Sequence, residues 1–248
     1  MQARRVIVTG GATNIGRAIT EAFLAAGASV VVGQPDVSAA APLIARYGQR
    51  VTALEFDAAI PESCKQFVED AAAALGGLDV LVNNAAVTGP GAGRSLAEID
   101  GDYFHRILNV NLGGVIFCSQ AAVPHLRQSG GGAIIHISSI NAIRPQRGAL
   151  LYAASKAAVS SLAQSMAKEL AADGIRVVAV APGDIATEQS AQLAREMAAR
   201  GIVSDVSGLT PLGQGTPEDV GSVVAFLASP GARFVTGTTW LVDGGLLA

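Results

Sequence analysis

Charged residues, cysteines and aromatic residues are all scarce in this sequence. Only 15% of the 248 residues are charged, the formal net charge is −3, and lysine and arginine form no block. A chain without a basic field does not hold phosphate backbones, so we expect no nucleic acid partner. The cysteines Cys64 and Cys118 are far apart and the histidines His105, His125 and His136 show no ligand spacing, so neither a disulfide framework nor a metal site is predicted. The expected compartment is the reducing cytoplasm.

Long uncharged runs are also rare, and the longest one is interrupted by polar residues. It covers 107–126, about 20 residues, which is enough to cross a bilayer. A lipid-facing helix tolerates amides, hydroxyls and proline only at a cost in free energy. This run contains all three, at Asn109, Asn111, Ser119, Gln120 and Pro124. We predict a buried helix of a soluble protein and no membrane partner.

The sequence does contain a regular alternation of short apolar runs with alanine-rich segments. Most of the runs are nearly continuous, as in strands of a parallel sheet that is covered on both faces. The alanine-rich segments have helical composition, and two of them end at Gly27 and Gly76, where helix C-caps belong. The pattern predicts one α/β domain over 1–248, a Rossmann-type doubly wound sheet of about seven parallel strands with helices on both faces. The predicted strands are 4–9, 29–33, 50–56, 78–83, 133–138, 175–181 and 238–242.

One stretch departs from this alternation. Residues 184–215 show no strand pattern and are long for a simple connection. Long connections of this kind in compact domains often cover a binding site. We therefore predict that 184–215 forms a lid over the substrate.

The first predicted strand runs directly into a glycine-rich turn and then a helix, VTGGATNIGRAITEAF. Such a turn offers unpaired backbone N–H groups and the positive end of a helix dipole to a pyrophosphate. Glycines also serve steric needs in many strand-to-helix turns, so the turn alone does not identify the ligand. With the alternating pattern around it, it indicates a dinucleotide.

A tyrosine and a lysine four residues apart carry the candidate chemistry. Tyr152 and Lys156 lie on one face of a predicted helix, YAASKAAVSSLAQSMAKEL. A tyrosine alone titrates near pH 10, and a nearby ammonium favours the phenolate. Ser139 ends a predicted strand thirteen residues before the tyrosine. The group suits proton transfer to or from an alcohol.

Together these motifs resemble those of the short-chain dehydrogenases/reductases, over essentially the whole chain. The turn resembles the T-G-x-x-x-G-x-G fingerprint, with Asn14 in place of the middle glycine. The segment NVNLGG supplies Asn111, which completes a tetrad with Ser139, Tyr152 and Lys156. The resemblance implies that Tyr152 is the acid/base, that Ser139 holds the substrate oxygen, and that Lys156 favours the phenolate and binds the nicotinamide ribose. Asn111 would link Lys156 to solvent through a water.

The resemblance also implies a nicotinamide dinucleotide and the residues that hold it. Gln34 stands where the family usually has an acid for the ribose 2′-OH, and 33–38 contain no arginine or lysine for a 2′-phosphate. Asp36 would repel that phosphate, or it is only an N-cap of the next helix. NAD is favoured and NADP stays open. The implied cofactor residues are Gly10, Thr13, Asn14, Ile15, Gly16, Gln34, Asp36, Asp57, Asn83, Ala85, Tyr152, Lys156, Pro182, Gly183, Ile185 and Thr187.

The segment INAIRPQR between the serine and the tyrosine is unusually polar for this chain. A site with many hydrogen-bonding groups suits a hydroxyl-rich substrate, since an apolar one leaves those groups unpaired. We predict a sugar or polyol, as in the glucose 1-dehydrogenase branch of the family, and an arginine there can hold an anionic substituent. Arg144 and Arg147 can equally be solvated loop residues. The predicted substrate contacts are Ser139, Asn141, Arg144, Gln146, Tyr152 and Asp184.

Two other functions stay open. A 3-oxoacyl-[acyl carrier protein] reductase would need a basic docking surface, and the candidate segments supply scattered arginines with Asp173 among them. A non-catalytic nucleotide-sensing protein would not need Tyr152 and Lys156 together. The closing segment TTWLVDGG resembles the last strand of the family, which commonly joins subunits, so a homotetramer is expected.

Overall fold

Seven strands and eight helices make up the described part of the chain. The computed structural model describes residues 4–199 and 208–248. The strands are β1 (Arg5–Thr9), β2 (Ser29–Gln34), β3 (Val51–Glu55), β4 (Val80–Asn83), β5 (Gly132–Ile137), β6 (Ile175–Pro182) and β7 (Thr239–Val242). The helices are α1 (Asn14–Ala25), α2 (Ala41–Tyr47), α3 (Pro61–Leu75), α4 (Gly101–Leu108), α5 (Gly114–Gln128), α6 (Leu150–Leu170), α7 (Glu188–Ala199) and α8 (Pro217–Ala228).

The strands form one parallel sheet in the order β3-β2-β1-β4-β5-β6-β7. Every predicted apolar run is a strand, and no strand end differs from the prediction by more than two residues. The order reverses between β1 and β4, because the chain winds outward in one direction and then returns to the centre. At such a reversal the loops part, and a crevice opens at the carboxyl ends of the strands. The predicted doubly wound α/β fold is confirmed.

Both faces of the sheet are covered, which explains the continuous apolar runs. Along β1, Val6 and Val8 pack in the layer of α1 and α8, whereas Ile7 packs in the layer of α3 and α5. All three side chains are fully buried. Successive residues of a strand point to opposite faces, so a strand with helices on both sides needs apolar residues at every position.

The helix ends follow the predicted chemistry. Gly76 caps α3 in the left-handed region at φ 69°, and Gly27 adopts φ 84° just beyond α1. A side chain would be strained at such angles, so glycine ends these helices at little cost. Pro61 and Pro217 occupy the first turns of α3 and α8, where a missing N–H breaks no helical bond.

The predicted buried helix is buried along one face only. α4, a π-helical turn at Asn109–Gly113 and α5 run on as one helix, Gly101–Gln128. Within residues 4–199 and 208–248 it is the helix with the length and mean hydropathy (1.4) of a membrane span, a test that the core helix of a folded domain also passes. Only 39% of its most apolar window is buried, and Ile116 and Phe117 are exposed. Asn111 and Ser119, in contrast, are buried in hydrogen bonds to the domain.

The predicted lid, 184–215, contains α7, and the two ends of this segment are bonded to each other. Ile185 and Gly215 form a parallel backbone bridge. The N–H of Gly215 donates to the carbonyl oxygen of Asp184 at 2.9 Å. Residues 200–207 of the predicted lid lie outside the described residues. The bridge makes the two ends of the segment neighbours, and its function as a lid stays a prediction.

Helix α7 packs closely on the turn at Gly89–Ala92, which follows β4. A Cβ placed on Gly89 would lie 3.3 Å from Cβ of Gln189, and the backbone of Gly89 has φ 61°. Glycine at this position therefore allows both the turn and the close approach of the helix. The contact brings the first part of the segment across the mouth of the crevice.

Candidate active site

A large cleft lies at the carboxyl ends of the strands, where β1 and β4 part. Its volume is about 1640 Å³, enough for a dinucleotide and a small substrate together. Four of the predicted site residues, Asp36, Asn83, Asn111 and Arg144, do not belong to its lining. The lining includes Gly10, Thr13, Asn14, Ile15, Gly16, Gln34, Asp57, Ala85, Ser139, Asn141, Gln146, Tyr152, Lys156, Pro182, Gly183, Asp184, Ile185 and Thr187.

The glycine-rich turn between β1 and α1 has the backbone conformation that its sequence requires. Gly10 adopts φ 64° and Asn14 φ 46°, and Asn14 is the one residue other than glycine with positive φ among residues 4–199 and 208–248. Asparagine tolerates the left-handed region better than most residues, which explains how it replaces the family's glycine. A Cβ on Gly16 would collide with the carbonyl oxygen of Gly10. Glycine is therefore obligatory at position 16.

The start of α1 is suited to an anion. Its first turn contains no acidic residue, and in the described part of the chain the side chain of Thr13 makes no capping hydrogen bond. The first N–H groups of the helix and the positive end of its dipole are thus available to a ligand. The residues present fit the pyrophosphate of a dinucleotide.

Asn84, which the sequence reasoning left out of the site, holds this turn in place. Its amide Nδ2 donates to the carbonyl oxygens of Thr9 at 3.0 Å and Gly10 at 2.9 Å. The hydroxyl of Thr9 accepts in return from the N–H groups of Asn84 (2.9 Å) and Ala85 (3.0 Å). The four bonds join the end of β1 to the segment after β4, across the point where the strand order reverses. The two consecutive asparagines after a predicted strand are the sequence feature that could have identified Asn84.

Asn83 belongs to the interior and not to the cleft, which corrects its prediction as a cofactor residue. Its Nδ2 donates to Oγ of Ser119 at 3.0 Å and lies 3.1 Å from Nδ1 of His136. Burial lowers the pKa of His136 to about 3, and the charge of Lys156 acts in the same direction. The imidazole is therefore neutral and forms part of the packed floor beneath the cleft.

At the end of β2 only one of the two predicted residues reaches the cleft. Gln34 is 7% exposed, and its Nε2 has no hydrogen-bond partner within residues 4–199 and 208–248. Asp36 is exposed, and its Oδ1 accepts from the N–H of Ser38 at 2.9 Å. Hydrogen bonds from Ser38 hold the pKa of Asp36 below its usual range. The structure thus shows the capping alternative for Asp36, since a short polar side chain here satisfies the next turn.

The loop after β3 forms one end of the cleft. Asp57 lines the cleft, and its Oδ1 accepts from the N–H of Ala59 at 2.8 Å. Its own N–H donates to Oγ of Ser63 at 3.0 Å. The carboxylate is held in place in the lining, and its contact with the cofactor stays a prediction.

Tyr152 lies in the floor of the cleft, on the first turn of α6. Ser139 and Thr88 line the cleft with it. Burial raises the pKa of Tyr152, and hydrogen bonding with Ser139 and Thr88 opposes the rise. Desolvation of the phenolate dominates in the free protein, and stabilisation of the phenolate by Lys156 stays a prediction. Thr88 was not predicted as a site residue, because a single threonine after a strand has no distinguishing sequence feature.

Lys156 lies beneath the tyrosine and is almost fully buried. Its Nζ donates to the carbonyl oxygen of Ile137 at 2.8 Å and lies 5.7 Å from the centre of the Tyr152 ring. Burial lowers the pKa of Lys156 to about 8. At neutral pH the group is still mainly an ammonium, so it can stabilise negative charge that develops on the tyrosine oxygen.

Asn111 lies behind the cleft, in the π-helical turn of the long helix. Its Oδ1 accepts from the N–H of Val87 at 2.7 Å, and its Nδ2 lies 3.2 Å from Oγ of Ser155. Ser155 in turn donates to the carbonyl oxygen of Tyr152 at 2.7 Å. π-helical turns recur at functional sites because they redirect one side chain. Here the turn joins Asn111 to the helix of the tyrosine, and its predicted link to solvent stays a prediction.

The residues after β6 that were predicted to bind the cofactor line the opposite wall of the cleft. Pro182, Gly183, Ile185 and Thr187 all face the cleft. A Cβ on Gly183 would lie 2.6 Å from Cα of Asp243, so only glycine permits this approach of two backbones. The hydroxyl of Thr187 accepts from the N–H of Ser190 at 3.0 Å.

The substrate end contains three of the four loop side chains that were predicted to contact the substrate. Asn141 and Gln146 line the cleft, and Oδ1 of Asn141 accepts from the N–H of Gln146 at 2.9 Å. Asp184 accepts from Nε2 of Gln214 at 3.0 Å across the base of the predicted lid. Arg144 is exposed and lies outside the lining.

Three arginines that the prediction did not choose also line this end. Two come from other segments, Arg94 after the turn that follows β4 and Arg106 on α4, and the third is Arg147 of the predicted loop. The N–H of Arg94 donates to the carbonyl oxygen of Gly148 at 2.8 Å, and Arg94 forms a parallel bridge with Ala149. No sequence signal indicated this approach, since the two segments are distant along the chain.

Comparison with known proteins finds matches along nearly the whole chain. The family model described as enoyl-(acyl carrier protein) reductase, adh_short_C2, matches residues 10–247. Cis-4-hydroxycyclohexanecarboxylate dehydrogenase of Sinomonas cyclohexanicum is 38% identical over 99% of this chain and 97% of its own. L-rhamnose 1-dehydrogenase (NAD(P)(+)) of Azotobacter vinelandii is 38% identical over 98% and 96%. The crystal structure of 3-ketoacyl-(acyl-carrier-protein) reductase from Brucella melitensis complexed with NADH matches with a TM-score of 0.89 and 28% identity, over 100% and 99%.

Proposed function

Because the chain belongs to the short-chain dehydrogenase/reductase family, an oxidoreductase family that acts on CH–OH groups with NAD(P), we propose that it oxidises or forms a secondary alcohol on a sugar or polyol. The observation that carries the proposal is the grouping of Tyr152, Ser139 and Lys156 in the lining of the cleft, with Nζ of Lys156 5.7 Å from the centre of the Tyr152 ring. A phenol held beside a serine and above a buried ammonium is equipped to exchange a proton with a substrate oxygen.

The proposed division of labour follows from the positions of three side chains. NAD(P), when bound, accepts the hydride from the alcohol carbon or returns it to the carbonyl. Tyr152 takes the alcohol proton as that hydride leaves, so that the alcohol loses two electrons and two hydrogens and becomes a carbonyl. Ser139 holds the substrate oxygen, and Lys156 stabilises the phenolate by its charge.

The direction of the reaction is coupled to pH through the tyrosine. Because burial raises the pKa of Tyr152, the phenol is protonated at neutral pH in the free enzyme. A protonated phenol suits reduction of a carbonyl, whereas oxidation of an alcohol needs the phenolate and is favoured at higher pH.

NAD is the proposed cofactor of preference. Gln34 offers an amide in place of a carboxylate at the end of β2, and its Nε2 is buried without a partner in the described part of the chain. A neutral donor there can serve a ribose hydroxyl, and the cleft segment 33–38 supplies no cation for a 2′-phosphate. Asp36 contributes nothing to this preference by contact, since it lies outside the cleft.

The substrate proposal is supported by the polar lining of the cleft opposite the tyrosine. Asn141, Gln146 and Asp184 present amide and carboxylate groups there, and such a lining leaves unpaired polar groups when the substrate is apolar. The relatives named for L-rhamnose and for a hydroxycyclohexanecarboxylate both act on hydroxylated rings by their names.

The second candidate is a 3-oxoacyl-[acyl carrier protein] reductase, the activity named for the matched structure from Brucella melitensis. One observation weighs against it. Arg127, a candidate for docking an acidic carrier, forms an ion pair with Asp173 at 2.7 Å. A paired arginine contributes little to a basic docking surface. Nucleotide sensing without catalysis is disfavoured by the presence of Tyr152, Ser139 and Lys156 together in the cleft lining.

We also propose that the chain works as a homotetramer in the cytoplasm. The edge strand β7 and its neighbours present apolar side chains to solvent, with Phe226 and Leu241 each 45% exposed and Phe234 96% exposed. Exposed apolar groups beside an unpaired strand edge favour association with a second copy. Light scattering on the purified chain measures the assembly, and a monomer at micromolar concentration would contradict the proposal.

The first experiment is an assay of NAD and NADP reduction on a panel of aldoses, acidic sugars, polyols and simple secondary alcohols. Rapid reduction of NAD by one sugar is the expected result. The same enzyme is offered a 3-oxoacyl thioester with NADPH and with NADH. Turnover of the thioester without turnover of any sugar would reject the sugar proposal in favour of the second candidate.

A further inference from the structure

Three arginines converge on the substrate end of the cleft, although they come from three different segments. Arg94, Arg106 and Arg147 all belong to the lining and are called the arginine rim below. None of the three was among the predicted substrate contacts, and the proposed reaction gives none of them a part. Charged residues are mostly exposed, and Arg106 and Arg147 are exposed at the mouth of the cleft, where a ligand can reach them.

Arg94 is fixed in place by contacts on every side. Its Nη1 donates to Oδ2 of Asp100 at 2.9 Å, and its guanidinium lies 4.4 Å from the centre of the Tyr103 ring. The ring is anchored in turn, since the hydroxyl of Tyr103 donates to the carbonyl oxygen of Ala92 at 2.7 Å. With its N–H bonded to Gly148, Arg94 forms a rigid support at the edge of the cleft.

Arg106 stands close to this support because of helical spacing. It follows Tyr103 by three residues on α4, and residues so spaced share a face of a helix. Its side chain is exposed at the mouth of the cleft. The aromatic ring therefore carries one arginine on its face and has a second arginine one turn further along the helix.

Arg147 lies on the partner segment of the same backbone bridge. It precedes Gly148 and Ala149, the two residues to which Arg94 is joined, and it comes five residues before Tyr152. It also takes part in an interaction within the protein. A guanidinium carries five N–H donors, so one internal interaction leaves donors for a ligand.

The carboxylates around the cleft balance its cations in number. The lining contains the three arginines of the rim and Lys156, against Asp57, Asp184 and Glu196, and Asp100 forms an ion pair with Arg94. Binding of an anion therefore depends on direct hydrogen bonds from guanidinium groups and not on the net charge of the cleft.

We propose that the substrate carries an oxyanion, such as a carboxylate or a phosphate, on the ring that bears the reacting hydroxyl, and that Arg147 binds it with support from Arg106 and Arg94. The proposal rests on the proposed function, because it names the class of ring alcohol that the same cleft takes. A planar guanidinium suits the two oxygens of a carboxylate, and its bonds to a charged acceptor are stronger than those to a hydroxyl. One similar enzyme is named for such a compound, a hydroxycyclohexanecarboxylate.

The test uses pairs of ring alcohols that differ only in having a carboxylate or a hydroxymethyl group. Suitable pairs are D-glucuronate with D-glucose, D-galacturonate with D-galactose, and cis-4-hydroxycyclohexanecarboxylate with cis-4-(hydroxymethyl)cyclohexanol. Binding to the whole chain is measured by calorimetry with reduced cofactor present, so that no alcohol is turned over. We compare the unchanged protein with Arg147→Gln, Arg147→Lys and Arg144→Gln. Arg144 is the matched control, because it belongs to the same loop but lies outside the cleft.

We expect at least one carboxylate to bind roughly tenfold or more tightly than its neutral partner. Arg147→Gln should weaken that carboxylate roughly ten- to a hundredfold and the neutral partner less than about twofold, and Arg147→Lys should restore part of the loss. Arg144→Gln should change neither. Equal binding within all three pairs would overturn the proposal, as would an equal loss in the Arg144 control.

The same design separates this inference from the proposed function. If no ring alcohol, charged or neutral, reduces NAD or NADP, the proposed substrate class is rejected. Calorimetry still decides whether a carboxylate is preferred and whether Arg147 carries the preference. If neutral sugars are turned over but carboxylates bind no more tightly, the proposed function stands and the anion subsite is rejected.

Discussion

The dinucleotide end and the substrate end of the cleft are built from different parts of the chain. At the dinucleotide end, backbone groups of the turn from Gly10 to Gly16 and the start of α1 face the ligand, and Asn84 holds them. At the substrate end, side chains from loops do so, among them Asn141 and Arg147. A site made of backbone is fixed by conformation, whereas a site made of side chains is fixed by their identity. The two ends should therefore respond differently to substitution.

The largest expected effect concerns Tyr152, which stands between the two ends. Tyr152→Phe removes only the hydroxyl, so we expect kcat to fall roughly a thousandfold or more while the cofactor still binds. Steady-state rates and fluorescence titration of NADH measure the two quantities. Tyr47→Phe is the control, since Tyr47 ends α2 and does not belong to the cleft lining. Retention of substantial dehydrogenase activity by Tyr152→Phe would refute the assignment.

The backbone-built end should fail after the smallest enlargement. Gly16→Ala places a methyl group against the carbonyl oxygen of Gly10, so the turn must open. We expect a loss of unfolding free energy of about 2 kcal/mol or more and at least roughly tenfold weaker NADH binding. Gly101→Ala is the matched control, because nothing lies within 4 Å of a Cβ there. Chemical denaturation and NADH titration of both variants measure the difference. Normal NADH affinity in Gly16→Ala would contradict the prediction.

The packed residues beneath both ends of the cleft should make the protein less stable in acid. The pKa of His136 is about 3 in the folded protein against an ordinary 6.5, so between these values the unfolded chain binds a proton that the folded chain does not. Stability is therefore complete above pH 6.5 and falls as the pH drops, by at most about 1.4 kcal/mol per pH unit from this group. Denaturation curves between pH 7 and pH 4, compared with those of His136→Gln, measure this contribution.

His105→Gln serves as the control for that comparison, since His105 is exposed on α4. Its curve should keep the acid slope of the unchanged protein, whereas His136→Gln should flatten it. An equal fall in stability between pH 7 and pH 4 in all three proteins would show that His136 is not responsible for the loss of stability in acid.

The smallest effect is expected where a side chain does enter the dinucleotide end. Gln34→Glu replaces a buried amide by a carboxylate of the same shape, which accepts from a ribose hydroxyl and repels a 2′-phosphate. We expect the ratio of kcat/KM for NAD over NADP to rise roughly tenfold. Gln49→Glu, exposed in the turn before β3, should leave the ratio unchanged. An unchanged ratio in Gln34→Glu would remove Gln34 from cofactor selection.

The fold and the chemical centre could be predicted from the sequence because their signals are local. Apolar runs mark strands, and the glycine-rich turn needs only its own residues to adopt its shape. The spacing of Tyr152 and Lys156 on one helix is local too. Ser139 and Asp57 each lie two residues beyond the end of a strand, so the fold brings them to one edge of the sheet, and the resemblance to the family assigned their roles.

The residues that were missed or misplaced depend on side-chain direction, loop path and contacts between distant segments, which have no local sequence signal. Asn83 and Asn84 are the same residue type at one strand end, and only the direction of the side chain separates the interior from the cleft. Arg144 and Arg147 are separated by the path of a short loop. Arg94 reaches the site through a bridge to a distant segment. Contacts of this kind arise from packing, which neither composition nor periodicity encodes.

The bridge between Arg94 and Ala149 has a consequence for how such an enzyme changes over generations. It is made by backbone groups, with the N–H of Arg94 bonded to the carbonyl oxygen of Gly148. The side chains on either side can therefore be exchanged while the bridge keeps the start of α6, and with it the tyrosine, in position. A lineage with this scaffold can move to a new substrate one side chain at a time without rebuilding its reaction chemistry.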